Sequence, residues 1–190
     1  MPLTTIDPTP ALVVIDLQNG ILAVPTAHPA ADVVRSSAAL ARAFRERGLP
    51  VVLVNVTGGA PGRTDVGRPP AGAVHPDGWA DLVEELDAQP GDHRVTKQTW
   101  GAFHRTGLDD HLRSLGVTQV LVTGVSTSAG VESTAREASA HGYHVVLVTD
   151  AMTDRSAEAH DHSVTHVFPR LGETATTAEV LAALAADRSR

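Results

Sequence analysis

Four short runs carry apolar side chains almost without interruption: residues 11–16 (ALVVID), 51–55 (VVLVN), 120–123 (VLVT) and 145–149 (VVLVT). A strand with one wetted face alternates apolar and polar positions, so runs that do not alternate predict strands covered on both faces. Residues 92–97 (DHRVTK) form a weaker fifth candidate. Between the runs the spacing becomes helical. Val33, Ser37, Leu40 and Phe44 share one helical face, ended by Gly48 as the residue past the cap. Trp79, Leu82, Val83 and Leu86 predict a second helix, stopped at Pro90-Gly91. Leu108, Leu112 and Leu115 mark a third that ends at Gly116, and Val131, Ala135 and Ala138 a fourth that ends at Gly142. A helical tail rich in Ala and Glu follows Thr176.

Strands alternating with helices predict βαβ units with right-handed crossovers. The expected fold is a three-layer α-β-α sandwich, Rossmann-like, with a central, mostly parallel sheet and one domain over residues 1–190. In such sheets ligands bind beyond the carboxyl ends of the strands, where the strand order reverses. That directs attention to residues 16–19, 55–57, 97–100, 124–130 and 150–154. The stretch 57–78, rich in Gly and Pro, predicts a long loop able to serve as a lid.

Composition narrows the function. Hydrophobic residues are 42% and aromatic residues 3%, so the core is built mostly from Val, Leu and Ala. A formal charge of −7 without clustered Lys and Arg argues against nucleic acid as a partner. The chain has no cysteine, which excludes disulfides, thiolate metal sites and a thiol nucleophile. Residues 1–10 lack the basic and apolar segments of a signal peptide, and no apolar run approaches the ~20 residues that span a bilayer. The expectation is a cytoplasmic protein with no membrane partner.

Asp16 and Lys97 each close a predicted strand, and opposite charges meeting in one crevice would pair. A lysine within about 4–6 Å holds a carboxylate ionised, whereas burial pushes its pKa up. A structural salt bridge or a capping Asp explains the same residues. The segment 124–130 (GVSTSAG) joins a strand to a helix, where backbone N–H groups can bind an anion or an oxyanion. A plain capped turn is the other reading, since Ser126, Thr127 and Ser128 all suit an N-cap. Ser126 and Ser128 lack the G-x-S-x-G elbow of a serine nucleophile. His162 and His166 have the i,i+4 spacing of metal ligands but no accompanying H-E-x-x-H, and neither a metal nor another cofactor is expected. Arg63 and Arg68 in the predicted lid could meet a substrate carboxylate or simply be solvated.

Several motifs, in order, resemble those of the isochorismatase-like hydrolase family. Ile15-Asp16-Leu17-Gln18-Asn19 resembles its opening D-x-Q motif, and residues 97–103 (KQTWGAF) resemble its K-x-x-x-x-A-F motif. Residues 123–135 (TGVSTSAGVESTA), then His141-Gly142-Tyr143 and Thr149-Asp150-Ala151, resemble its long signature. Residues 168–172 (FPRLG) resemble the stretch before its last helix. The match runs from about residue 10 to about residue 180.

By this resemblance Asp16 and Lys97 correspond to two members of an Asp–Lys–Cys triad, and Gly130 stands where nicotinamidase-like and amidase-like members carry the nucleophile. Glycine has no side chain to attack a carbonyl, so the thioester route is closed. Asn55-Val56-Thr57-Gly58-Gly59 does not resemble the Asp and two-His metal site of the nicotinamidase branch. Isochorismatases proper also carry Gly at this position and cleave a vinyl ether to release pyruvate. The resemblance then implies that Asp16 protonates the enol carbon, while Lys97 steadies the substrate carboxylate or the ionised Asp16. The H-x-G-C pattern of true isochorismatases is here Ser128-Ala129-Gly130-Val131, and no carrier domain is expected before Arg190. The resemblance further implies a small-molecule substrate contacted by Gln18, Trp100, Phe103, Val125, Ser126 and Ala129, a cis peptide between Val125 and Ser126, and a homodimer or homotetramer.

One conflict is built into this reading. A nearby lysine lowers a carboxyl pKa, whereas a general acid needs a raised one. Desolvation by Ile21, Trp100 and Phe103 has to prevail for Asp16 to act as an acid. Otherwise Asp16 suits a base that activates water against an amide or ester. A third reading, of another class, is a catalytically silent small-molecule binder or scaffold.

Overall fold

The computed structural model describes residues 3–59, 62–65 and 75–187. Six strands form one sheet: β1 (Pro10–Ile15), β2 (Val51–Val56), β3 (His93–Lys97), β4 (Gln119–Val125), β5 (His144–Thr153) and β6 (Glu173–Ala175). Their order is β3-β2-β1-β4-β5-β6 and every pairing is parallel. The helices are α1 (Asn19–Leu22), α2 (Ala30–Arg45), α3 (Leu108–Ser114), α4 (Glu132–Ala140), α5 (Ala157–His162), α6 (Phe168–Leu171) and α7 (Thr177–Asp187).

The uninterrupted apolar runs now have their cause. Ala11, Val13 and Ile15 of β1 enter one core cluster, with Leu108 and Leu112 of α3, Ala135 and Ala138 of α4, and Phe168. Leu12 and Val14 point the other way, to Leu40 and Phe44 of α2 and Val180 and Leu184 of α7. Both faces are roofed by helices, giving three layers, so neither set of alternate positions can be polar. The edge of the sheet is pinned by Arg45 at the end of α2, whose guanidinium donates two hydrogen bonds, 2.9 and 2.8 Å, to Asp92 before β3. No helix among the described residues is long and apolar enough to cross a membrane.

The structure departs from the sequence expectation in three places. Trp79, Leu82, Val83 and Leu86 do not form a helix; only Glu84–Leu86 makes a single 3-10 turn. The backbone there is claimed by β1's exit instead: Asn19 N–H donates to Asp81 O (2.9 Å), Gly20 N–H to Trp79 O (2.8 Å) and Val83 N–H to Leu17 O (3.1 Å). Leu115 caps α3 and is 45% exposed rather than buried. The three-residue edge strand β6 was not anticipated. Of the lid predicted over 57–78, residues 60–61 and 66–74 lie outside the described residues.

β1 leads outward through β2 to β3, while β4, on its other side, leads to β5 and β6. The order therefore reverses between β1 and β4, and their carboxyl ends open a crevice there.

Candidate active site

Asp16 follows β1 directly, in the left-handed conformation (φ 51°). Such a backbone costs a non-glycine residue about 1–2 kcal/mol, and Asp is among the few that visit it. The conformation is held from both sides: Asp16 N–H donates to Val54 O (3.0 Å) and its carbonyl accepts from Gln18 N–H (2.8 Å). Lys97, the last residue of β3, reaches past the end of β2 so that Nζ lies 2.8 Å from Asp16 Oδ2, with both side chains buried. Nζ also donates to Thr99 O at 3.2 Å.

The other oxygen, Oδ1, is buried and has no hydrogen-bond partner among the described residues. Burial raises the carboxyl pKa more than the charge and hydrogen bond of Lys97 lower it, and the net effect pushes Asp16 up to about 6. The sequence conflict thus resolves in favour of desolvation. A carboxyl with one oxygen anchored, one unpartnered and a pKa near neutrality can pass a proton in either direction.

The segment after β4 forms the opposite side. Gly124 has φ 114°, and a Cβ there would lie 2.0 Å from Ile15 O, so only glycine permits this approach of β4 to β1. The peptide between Val125 and Ser126 is cis. One wide helical turn, Thr127–Val131, then leads into α4. Asp154, after β5, grips this turn: its Oδ2 accepts from Ser128 N–H (2.7 Å) and Oγ (2.8 Å), and its Oδ1 from Arg155 N–H (2.7 Å). Ala129 N–H donates to Ser126 O (3.1 Å). The Ser128 and Ala129 amides therefore face the protein's own acceptors, which removes two of the anion donors such a turn predicts. Gly130 lies against the acid, since a Cβ there would stand 3.1 Å from Asp16 Oδ2 and 2.9 Å from Ile15 Cγ2.

These residues line a cavity of about 630 Å³. It brings together Asp16, Lys97 and Gly130 with Val125, Ser126 and Ala129, and also Ile21 and Trp100. Trp100 is 65% exposed and forms an outer wall. Two residues expected at the wall stand behind it. Phe103 packs into the core, its ring 5.2 Å from His141 and 5.8 Å from Tyr143. Gln18 is fully buried and stitches strand ends together: Oε1 accepts from Val56 N–H (2.7 Å) while Nε2 donates to Val56 O (3.1 Å) and Trp79 O (3.3 Å). Arg63 is exposed and outside the cavity wall, and Arg68 lies outside the described residues. His162 and His166 come within 5.2 Å, ring to ring, and the described residues offer no group of three or more ligands for a metal.

Sequence reasoning missed two wall residues, Trp79 and Arg155. Trp79 lies flat between Gly20, where a Cβ would strike the indole at 1.9 Å, and the ring of His75, stacked at 3.6 Å and 7°. Its spacing with Leu82 and Leu86 mimicked a helix face, which hid it. Arg155 also lines the cavity, and its guanidinium has no ion-pair partner among the described residues. Its position just beyond the carboxyl end of β5 was the available signal.

The Isochorismatase domain model matches residues 10–179. The chain is 40% identical over 183 residues to the isochorismatase family protein YecD of Escherichia coli O157:H7, covering 93% of this chain and 96% of that one. It is similar to the structure of an isochorismatase family protein from Burkholderia thailandensis, with a TM-score of 0.89 and 44% identity, covering 95% of this chain and 98% of the other. It is also 39% identical over 145 residues to the streptothricin hydrolase of Streptomyces noursei, 74% of this chain and 48% of that protein. A sheet of six parallel strands, a crevice at its switch point and a family match over nearly the whole chain lead to one conclusion: the protein belongs to the isochorismatase family of hydrolases.

Proposed function

We propose that the protein cleaves the vinyl ether of a small carboxylated substrate, isochorismate being the first to test, with Asp16 as general acid. The observation that carries this reading is the Asp16 carboxyl itself: at the cavity wall, buried, pushed up to about 6, and with Oδ1 left without a hydrogen-bond partner among the described residues. Gly130 supports it, because the position against Asp16 holds no nucleophile and this reaction needs none. Asp16 gives its proton to the enol methylene carbon, producing an oxocarbenium ion. Water adds to that ion, a proton returns to the Asp16 carboxylate, and the hemiketal collapses to pyruvate and a diol. Lys97, locked to Oδ2, keeps the ionised carboxylate stable between the two transfers.

The sign of the pH dependence tests the role of Asp16. An acid must be protonated, so kcat/KM is flat below about pH 6 and falls about tenfold per unit above it. If Asp16 instead activates water against an amide or ester, the limb has the same midpoint and rises. Pyruvate release from isochorismate between pH 4.5 and 8.5 makes the measurement. No pyruvate at any pH sinks the vinyl-ether reading, and an amide and ester panel then takes its place.

In this reading the substrate carboxylate sits on Arg155. Its neighbour Asp154 is already engaged by Ser128 and by backbone N–H groups, which leaves the guanidinium for a ligand. Arg155→Gln is expected to raise KM about 10- to 100-fold with kcat within a few-fold, the loss of one charge-assisted pair. Steady-state kinetics checks it, and an unchanged KM removes Arg155 from the site.

A further inference from the structure

Thr127 and His160 have no part in the chemistry above, yet they are buried together directly behind the cavity wall. Thr127 is fully buried and His160 is 8% exposed, and Thr127 Oγ1 lies 2.8 Å from His160 Nδ1. Thr127 opens the turn that carries Ser128, Ala129 and Gly130, while His160 belongs to α5, on the far side of that turn.

We propose that His160 and Thr127 form a positioning pair that holds the 126–130 turn against Asp16 and so keeps water from its carboxylate. This rests on the reading of Asp16 as the site's proton-transfer group.

Three observations support it. First, the turn touches the acid through Gly130, the residue that a Cβ would bring to 3.1 Å from Asp16 Oδ2. A glycine has no side chain to fill a gap, so any outward drift of the turn opens a path for water. Second, the hold on the turn is divided between two adjacent residues: Asp154 takes Ser128 and His160 takes Thr127. Asp154 lines the cavity, whereas neither Thr127 nor His160 does, so their bond holds the turn from behind the wall. Third, His160 is braced. The ring of His28 meets it edge-on at 4.6 Å, and His28 is fixed by Thr153 at the end of β5, whose Oγ1 accepts the His28 N–H at 3.0 Å. Ala27 N–H donates to Asp154 O (2.7 Å), so the segment before α2, the end of β5, α5 and the turn are tied into one block.

The test is the titration of Asp16 read by carboxyl carbon NMR, assigned with Asp16→Asn. The charged or titratable groups facing Asp16 are Lys97 from β3, His75 from the segment after the 66–74 stretch, and Asp154 and Arg155 from beyond β5. None of them is altered by the variants. Thr127→Val keeps the shape and removes the hydroxyl; His160→Phe keeps the ring and removes the nitrogen. Each is expected to lower the Asp16 midpoint by about one pH unit or more, toward the value of a hydrated carboxylate. Thr127→Ser and His160→Asn, which keep a hydrogen-bonding group in place, are expected to retain the wild-type midpoint. The double variant should shift it no further than either single one, because both break the same contact.

A midpoint that stays put in folded Thr127→Val and His160→Phe overturns the proposal. So does a failure of both variants to fold, which would assign the pair to core stability. The titration needs no substrate, so a protein that releases no pyruvate still answers it.

Discussion

Asp16→Asn is expected to lower pyruvate release by about a thousandfold, within the range that general acid catalysis contributes. The amide matches the carboxyl in shape, and its oxygen can still accept from Lys97 Nζ, 2.8 Å away in the native protein. What it cannot do is give a proton to carbon. Loss of activity must be separated from loss of fold, and linkage supplies the control. Folding raises the Asp16 pKa to about 6 from an ordinary value of 3.8, so the folded state holds this proton more tightly than the unfolded chain. Stability from this group is therefore greatest below pH 4, declines as pH rises to about 6, and is level beyond. Asp16→Asn should remove that slope and melt within a few degrees of wild type at pH 7. An active Asp16→Asn protein would end the case for an acid at this position; an inactive one that melts far lower would say nothing of chemistry.

The second large effect falls on stability. Gly124→Ala is expected to destabilise the fold by about 4 kcal/mol or more, lowering Tm by about 10 °C or beyond. The added Cβ would lie 2.0 Å from Ile15 O and 2.7 Å from Ile15 N, both backbone atoms of the strand that Gly124 pairs with. Neither can move without breaking the β1–β4 ladder, and φ at 114° adds strain for any side chain. Gly116→Ala is the control. Gly116 also has a positive φ, 70°, but nothing stands within 4 Å of its Cβ direction, so only the conformational penalty of about 1–2 kcal/mol applies. Thermal melts of the two variants separate collision from strain, and equal losses would contradict the argument.

Much of the fold could be read from runs such as VVLVT, because a strand roofed on both faces leaves a continuous apolar record. Asp16 was legible as the residue closing such a run, and Lys97 as the last residue of the weaker run 92–97. β6 was not, since three residues at a sheet edge leave no periodic trace. The 79–86 segment misled for a definite reason: its apolar spacing is helical, but its backbone pairs with β1's exit, the carbonyls of Trp79 and Asp81 accepting from Gly20 and Asn19 and Val83 N–H donating to Leu17 O, a long-range fact absent from local pattern. Phe103 and Gln18 lie in stretches that resemble family motifs but stand behind the cavity wall, because a motif fixes a position in the chain and not the direction a side chain takes. The raised pKa of Asp16 lay equally beyond sequence, as it depends on which of two opposed effects, burial or Lys97, is larger.

Asp16 and Gly130 hang from β1 and β4, the two innermost strands, whereas the outer cavity walls come from residues 57–59, 75–79 and 99–100, which belong to no strand or helix. On the proposed reading, reactivity rests on Asp16, and selectivity on this rim together with Arg155 beyond β5. With Asp16 as the proton-transfer group, side-chain changes in those segments alter which molecules enter, while the carbonyls of Trp79 and Thr99 keep their hold on Gly20, Gln18 and Lys97. The scaffold is in that sense evolvable: a lineage can trade one substrate for another by redrawing the rim, without rebuilding the machinery beneath it.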